Sequence, residues 1–178
     1  MKRLSSLNPL FGAALVLSGC ASDPTAAVFS ARVLSIVPAG RATGVDPGAP
    51  IIITFSRPMQ PGMQQYAALH AGDVRAAVVP GAWTWTSDRT TLTFTPAWPL
   101  AGQMPYTLHL GGGMRALDGG FVDYGPCVER YGGQWVTGDM MSGGMMRGGM
   151  MGGVSMMGRG WLDPNGTYGM VFSFTTSS

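Results

Sequence analysis

Eight methionines fall within residues 138–160, and nine of the same 23 residues are glycine. They come as pairs, Met140-Met141, Met145-Met146, Met150-Met151 and Met156-Met157, and the first three pairs recur every five residues. Thioether sulfur is a soft ligand that selects Cu(I) and, by the same softness, Ag(I). Methionine forms no disulfide, and glycine leaves the backbone free to bring several sulfurs to one ion. Cys127 could add a thiolate. These eight methionines and Cys127 are therefore a candidate soft-metal site. The same composition also fits a low-complexity expansion whose adaptable side chains pack on lipid, on the folded part of the chain or on a partner. No histidine lies within the run.

Other reactive residues point to less. His70 and His109 fall on separate predicted strands with no carboxylate pattern beside them, and read as ordinary residues of a β-sheet. Asp163-Pro164-Asn165-Gly166 offers two oxygen ligands of a calcium loop but lacks the rest, and reads as a turn. Glu129 is the only glutamate, and no Ser-His-Asp or paired-carboxylate arrangement stands out. The expectation is a chain without catalytic residues, and no small-molecule substrate is indicated.

The N-terminus carries a processing signal. Lys2-Arg3 precede the apolar run Leu10 to Leu17, which is shorter than the roughly 20 residues of a membrane-spanning helix. Leu17-Ser18-Gly19-Cys20 then resembles the lipobox of bacterial lipoproteins. The resemblance implies cleavage before Cys20, diacylglycerol on its sulfur and an acyl chain on its amino group, so that residues 1–19 are a signal peptide. Ala21, not Asp, follows the cysteine, which in the enterobacterial sorting rule implies the outer membrane. Several acyl chains hold a protein stably, at about 0.8 kcal/mol per buried CH₂. Residues 20–29 read as a tether. The membrane, through this lipid, is one expected partner, and an envelope or surface protein is another.

Charge and cysteine follow from that processing. The whole chain has 11 basic and 9 acidic side chains. Loss of Lys2 and Arg3 leaves the two in balance, which gives no electrostatic reason to bind nucleic acid. With Cys20 lipidated, Cys127 is the one remaining thiol and has no internal disulfide partner.

The elements that must carry these residues are β-strands. Trp83 and Trp85 alternate with threonines, and Leu92 and Phe94 alternate with Thr91, Thr93 and Thr95. Period-two alternation gives each arm one apolar face, and Ser87-Asp88-Arg89 supplies the turn between them. The spacing further predicts strands at 32–38, 50–56, 66–70, 74–79, 105–110 and 168–176. Trp83 or Trp85, Leu92, Phe94, Ile52, Phe55 and Leu108 are the expected core. Short strands punctuated by Gly and Pro indicate an all-β sandwich.

The ordered series Val37-Pro38, Gly44-Val45, Ile51-Ile52-Ile53-Thr54-Phe55-Ser56-Arg57-Pro58-Met59, Thr91-Leu92-Thr93-Phe94-Thr95-Pro96, Pro99-Leu100, Tyr106-Thr107-Leu108 and Leu117-Asp118-Gly119 resembles the bacterial Ig-like domain of S-layer and other surface proteins. The resemblance implies an Ig-like antiparallel β-sandwich made of 30–118 and 168–176, with residues 119–167 inserted before the last strand. It implies a structural or adhesive module at the cell envelope and no catalytic residues. Within the insertion, Tyr124, Cys127, Tyr131 and Trp135 offer apolar surface enough to pack on the module.

Overall fold

The computed structural model describes residues 28–138, 140 and 160–178. Two sheets face each other across one core. The first runs in the order β4-β5-β2-β1-β7 and the second β3-β6-β9-β8. In chain order the strands are β1 (Phe29–Val37), β2 (Ile51–Phe55), β3 (Ala67–His70), β4 (Gly81–Trp85), β5 (Thr91–Pro96), β6 (Pro105–Leu110), β7 (Phe121–Asp123), β8 (Gln134–Trp135) and β9 (Met170–Thr175). A 3-10 turn, Met63–Tyr66, precedes β3, and one short helix, α1 (Cys127–Tyr131), links β7 to β8.

The hairpin forms where the threonine alternation places it. Trp83 stands opposite Phe94 and Trp85 opposite Leu92. Asp88 holds the turn, its carboxylate accepting from the Thr86 hydroxyl and from the amide and hydroxyl of Thr90. Leu92 and Phe94 are fully buried. The two tryptophans are half-buried because β4 is the sheet edge, and they close the core from the side. Trp83 lies 4.7 Å from the Phe94 ring and Trp85 5.7 Å from that of Phe55.

Two expectations need correction. Ile52 is not a core residue: Ile51, Ile53 and Phe55 point inward, so period two sends Ile52 to the outer face, where it is half-buried. Residues 74–79 form no strand. Asp73 turns the chain there by accepting from the Arg75 amide, and Val78 makes only an isolated bridge to His70. The named strands pair antiparallel as expected, except that β7 joins β1 in parallel.

Strand β1 changes phase along its length. Ala31 and Val33 face the core, and then Ile36 does, with Leu34 exposed between them. The register against β2 shifts between Val33 and Ser35. One extra residue in a bulge exchanges the two faces of the strand beyond it.

Strands β3 and β6 are buried on both faces, which a plain two-layer sandwich does not require. Their inner residues, such as Leu69, Leu108 and Leu110, meet the first sheet. Their outer face is covered by a second apolar cluster of Ala68, Val74, Val136, Trp161 and Val171, with Met140 packed against it. The chain that supplies Trp161 docks on Gly111-Gly112-Gly113. The Gly112 amide donates to the Trp161 carbonyl, and a Cβ on Gly113 would stand 2.1 Å from the Gly160 carbonyl oxygen. Glycine is needed there for close backbone approach.

Candidate functional site

The outer face of the second sheet holds the densest polar chemistry among the buried residues. β3 pairs with β6 so that Ala68 faces His109 and His70 faces Thr107. His70 and His109 therefore lie diagonally on one face, with ring centroids 6.2 Å apart and ring planes tilted by 40°. Both side chains are fully buried. Trp161 covers His109, its ring 4.7 Å away.

Each ring is tied to the backbone through one nitrogen. His70 Nδ1 donates to the Ala76 carbonyl at 2.9 Å, and His109 Nε2 donates to the Tyr168 carbonyl at 2.7 Å. A carbonyl oxygen only accepts, so those nitrogens carry the protons and fix the tautomers. The other nitrogen of each ring, His70 Nε2 and His109 Nδ1, is then a lone-pair acceptor. Neither has a hydrogen-bond partner among the described residues. Burial disfavours the imidazolium form: it lowers the pKa of His70, and holds that of His109 down to about 4, with His70 nearby adding to the effect.

A groove of about 280 Å³ opens beside the pair, with Val74, Thr107, Met140 and Val171 among its walls. Thr107 is the register partner of His70 and Val171 that of His109. The Arg75 guanidinium reaches across and donates to the Met140 carbonyl at 2.5 Å.

Cys127 stands elsewhere. It opens α1 on the inner side, in the main core, while Met140 packs on the outer cluster. The two are thus in different apolar clusters. Burial pushes the Cys127 thiol up to about 12, which keeps it protonated and weakens it as a nucleophile or ligand. Cys20, Met141, Met145, Met146, Met150, Met151, Met156 and Met157 lie outside the described residues.

Asp163 spends its oxygens on a turn. Oδ1 accepts from the Asn165 amide, and Asn165 Oδ1 in turn accepts from the Thr167 amide and hydroxyl. Burial raises the pKa of the Asp163 carboxyl, and its Oδ2 is buried with no partner among the described residues. No group of three or more His, Cys, Asp or Glu is placed to hold a metal ion among the described residues.

The histidine pair was missed from sequence because it depends on which strands pair. His70 and His109 each look like a lone polar residue until β3 and β6 are aligned. The only local signal was their position at the apolar ends of two predicted strands.

The family model of the bacterial Ig-like domain matches residues 30–123. No curated protein matches the chain. Among solved structures, L,D-transpeptidase 1 of Mycobacterium tuberculosis is similar at 17% identity and a TM-score of 0.36, over 44% of this chain and 34% of that one. The S-layer protein rSbsC is similar at 14% identity and a TM-score of 0.39, over 53% of this chain and 12% of the other. CopC from Methylosinus trichosporium OB3b is similar at 14% identity and a TM-score of 0.39, over 53% of this chain and 94% of the other. The chain thus spans a minor part of the transpeptidase and of the S-layer protein. No described helix is long and apolar enough to cross a membrane.

Proposed function

The chain belongs to the bacterial Ig-like domain family, and from that premise we propose that it is a non-catalytic, lipid-anchored module of the cell envelope with a structural or interaction role. The observation that carries this reading is a juxtaposition along the chain. The family match begins at residue 30, and a lipobox ends at Cys20. Eight residues lead from Cys20 to Val28, whose carbonyl already accepts from the Phe121 amide of the folded domain. At about 3.3–3.6 Å per extended residue, that tether holds the sandwich within about 30 Å of its lipid. Such a module works beside the membrane, and the sorting residue Ala21 supports the outer membrane.

Membrane fractionation of the Cys20→Ala variant tests the anchor. The wild-type chain is expected with the membranes and the variant in the soluble fraction. Equal partitioning of the two overturns the proposal.

A second reading concerns the methionine run. Met140, its first member, lies half-buried against the outer cluster, on the face that carries the buried imidazoles. In this reading the run captures Cu(I) or Ag(I) and the lipoprotein buffers or delivers the metal. Anaerobic competition titration with Cu(I) compares the wild type with a variant in which all eight methionines are Leu. An unchanged number of bound ions removes the reading.

A further inference from the structure

We propose that His70 and His109 form a buried two-nitrogen site for a soft monovalent cation, Cu(I) or Ag(I), on the outer face of the four-stranded sheet. The site goes beyond the methionine-run reading, since neither ligand belongs to the run, and either can fail alone.

The first argument is the direction of the protons. Metal-binding histidines commonly donate their other ring N–H to a backbone carbonyl or carboxylate, which fixes the tautomer and aims the lone pair. Both histidines here do so, through Ala76 and Tyr168. The two remaining nitrogens are buried acceptors with no donor among the described residues. A buried polar group left unmet is costly and calls for an occupant.

The second argument is spacing. With a metal–nitrogen bond of about 2.0 Å and roughly 1.1 Å from nitrogen to ring centre, an ion between two opposed imidazoles holds their centroids roughly 6 Å apart. The observed separation is 6.2 Å with the ring planes tilted by 40°, so the pair meets the centroid spacing of such a site.

The third argument selects the ion. The pair is uncharged, and no third His, Cys, Asp or Glu completes a cluster among the described residues. A divalent ion in this apolar setting would lack both charge compensation and ligands. A d¹⁰ monovalent ion accepts two nitrogens in near-linear geometry, and imidazole suits copper. The groove lined by Thr107 and Val171 runs past the strand neighbours of the two histidines.

The test uses the full mature chain in detergent under anaerobic conditions. In a variant with Met141, Met145, Met146, Met150, Met151, Met156 and Met157 changed to Leu, one equivalent of Cu(I) or Ag(I) is expected to bind. Changing His70→Gln or His109→Gln in that background should weaken binding by at least the roughly 10–100-fold that loss of a ligand's supporting partner costs. Nitrogen NMR of the unmutated imidazoles gives a readout independent of how those variants fold. On adding Ag(I), the unprotonated resonances of His70 Nε2 and His109 Nδ1 are expected to shift, while their protonated partners keep their tautomer. Resonances that stay in place while the metal binds elsewhere overturn the proposal, and leave a buried water as the donor to both lone pairs. Zn(II) binding as tightly as Ag(I) overturns the choice of ion. Wild type and the seven-Leu variant taking up equal metal removes the methionine-run reading and leaves the histidine site standing.

Discussion

His70 and His109 stand on adjacent antiparallel strands with ring centroids 6.2 Å apart, each held by a hydrogen bond to a backbone carbonyl and each fully buried. Their titration has a definite sign. In the unfolded chain a histidine takes up a proton near pH 6.5, while burial holds His109 down to about 4. Between these values the unfolded state binds more protons, so the stability associated with a neutral His109 is fully present above pH 6.5. It is lost as pH falls toward 4. The loss is about 3 kcal/mol for this one group, and His70 adds to it in the same direction. Denaturant unfolding at pH 7.5 and 4.5 is expected to show a smaller acid loss for His109→Gln than for the wild type. Equal losses in the two proteins would mean that His109 is charged in the fold.

Neighbouring isoleucines in β2 should behave differently. Ile51 is 1% exposed and faces Phe94 across the register, whereas Ile52 is half-buried on the outer face. Ile51→Ala is expected to cost about 2–5 kcal/mol, by lost burial plus a cavity. Ile52→Ala should cost markedly less. Urea unfolding of the two variants checks the order, and a reversed order would put the inward face of β2 on the wrong parity.

Two glycines with positive φ separate strain from crowding. Gly119 has φ +88° with nothing within 4 Å of an added Cβ, so Gly119→Ala meets conformational strain alone, about 1–2 kcal/mol. Gly169 has φ +93°, and a Cβ there would lie 2.0 Å from the Leu110 carbonyl oxygen. Gly169→Ala must also push β9 off β6, and is expected to be the more destabilising by thermal unfolding. Equal melting temperatures for the two would contradict the close approach of Gly169 to Leu110.

Much of the sandwich was readable because its signals are local. The threonine alternation around Trp83 to Thr95 fixes both the hairpin and its inward face, and Leu92, Phe94, Phe55 and Leu108 are buried as their alternation requires. Ile52 was misplaced because three consecutive isoleucines carry no alternation, so the pattern leaves the phase of the strand open. Strand β1 hides its phase in another way, through the bulge at Leu34, which only the register with β2 reveals. The covered outer face was less legible still. It is assembled from Val74, Val136, Trp161 and Val171, which meet only when distant strands pair. The histidine pair beneath it has the same origin. Residues 74–79 resembled a strand by composition, but the turn at Asp73 and the return to Ala77 and Val79 use their backbone groups in a loop.

The most direct measurement for the central claim is the mass of the mature N-terminal peptide, taken from the chain recovered with the membrane fraction. The lipid-anchored reading predicts a peptide beginning at Cys20 that carries a diacylglyceryl group on its sulfur and an acyl chain on its amino group. A peptide beginning at Met1, or at any residue other than Cys20 and without lipid, would contradict it.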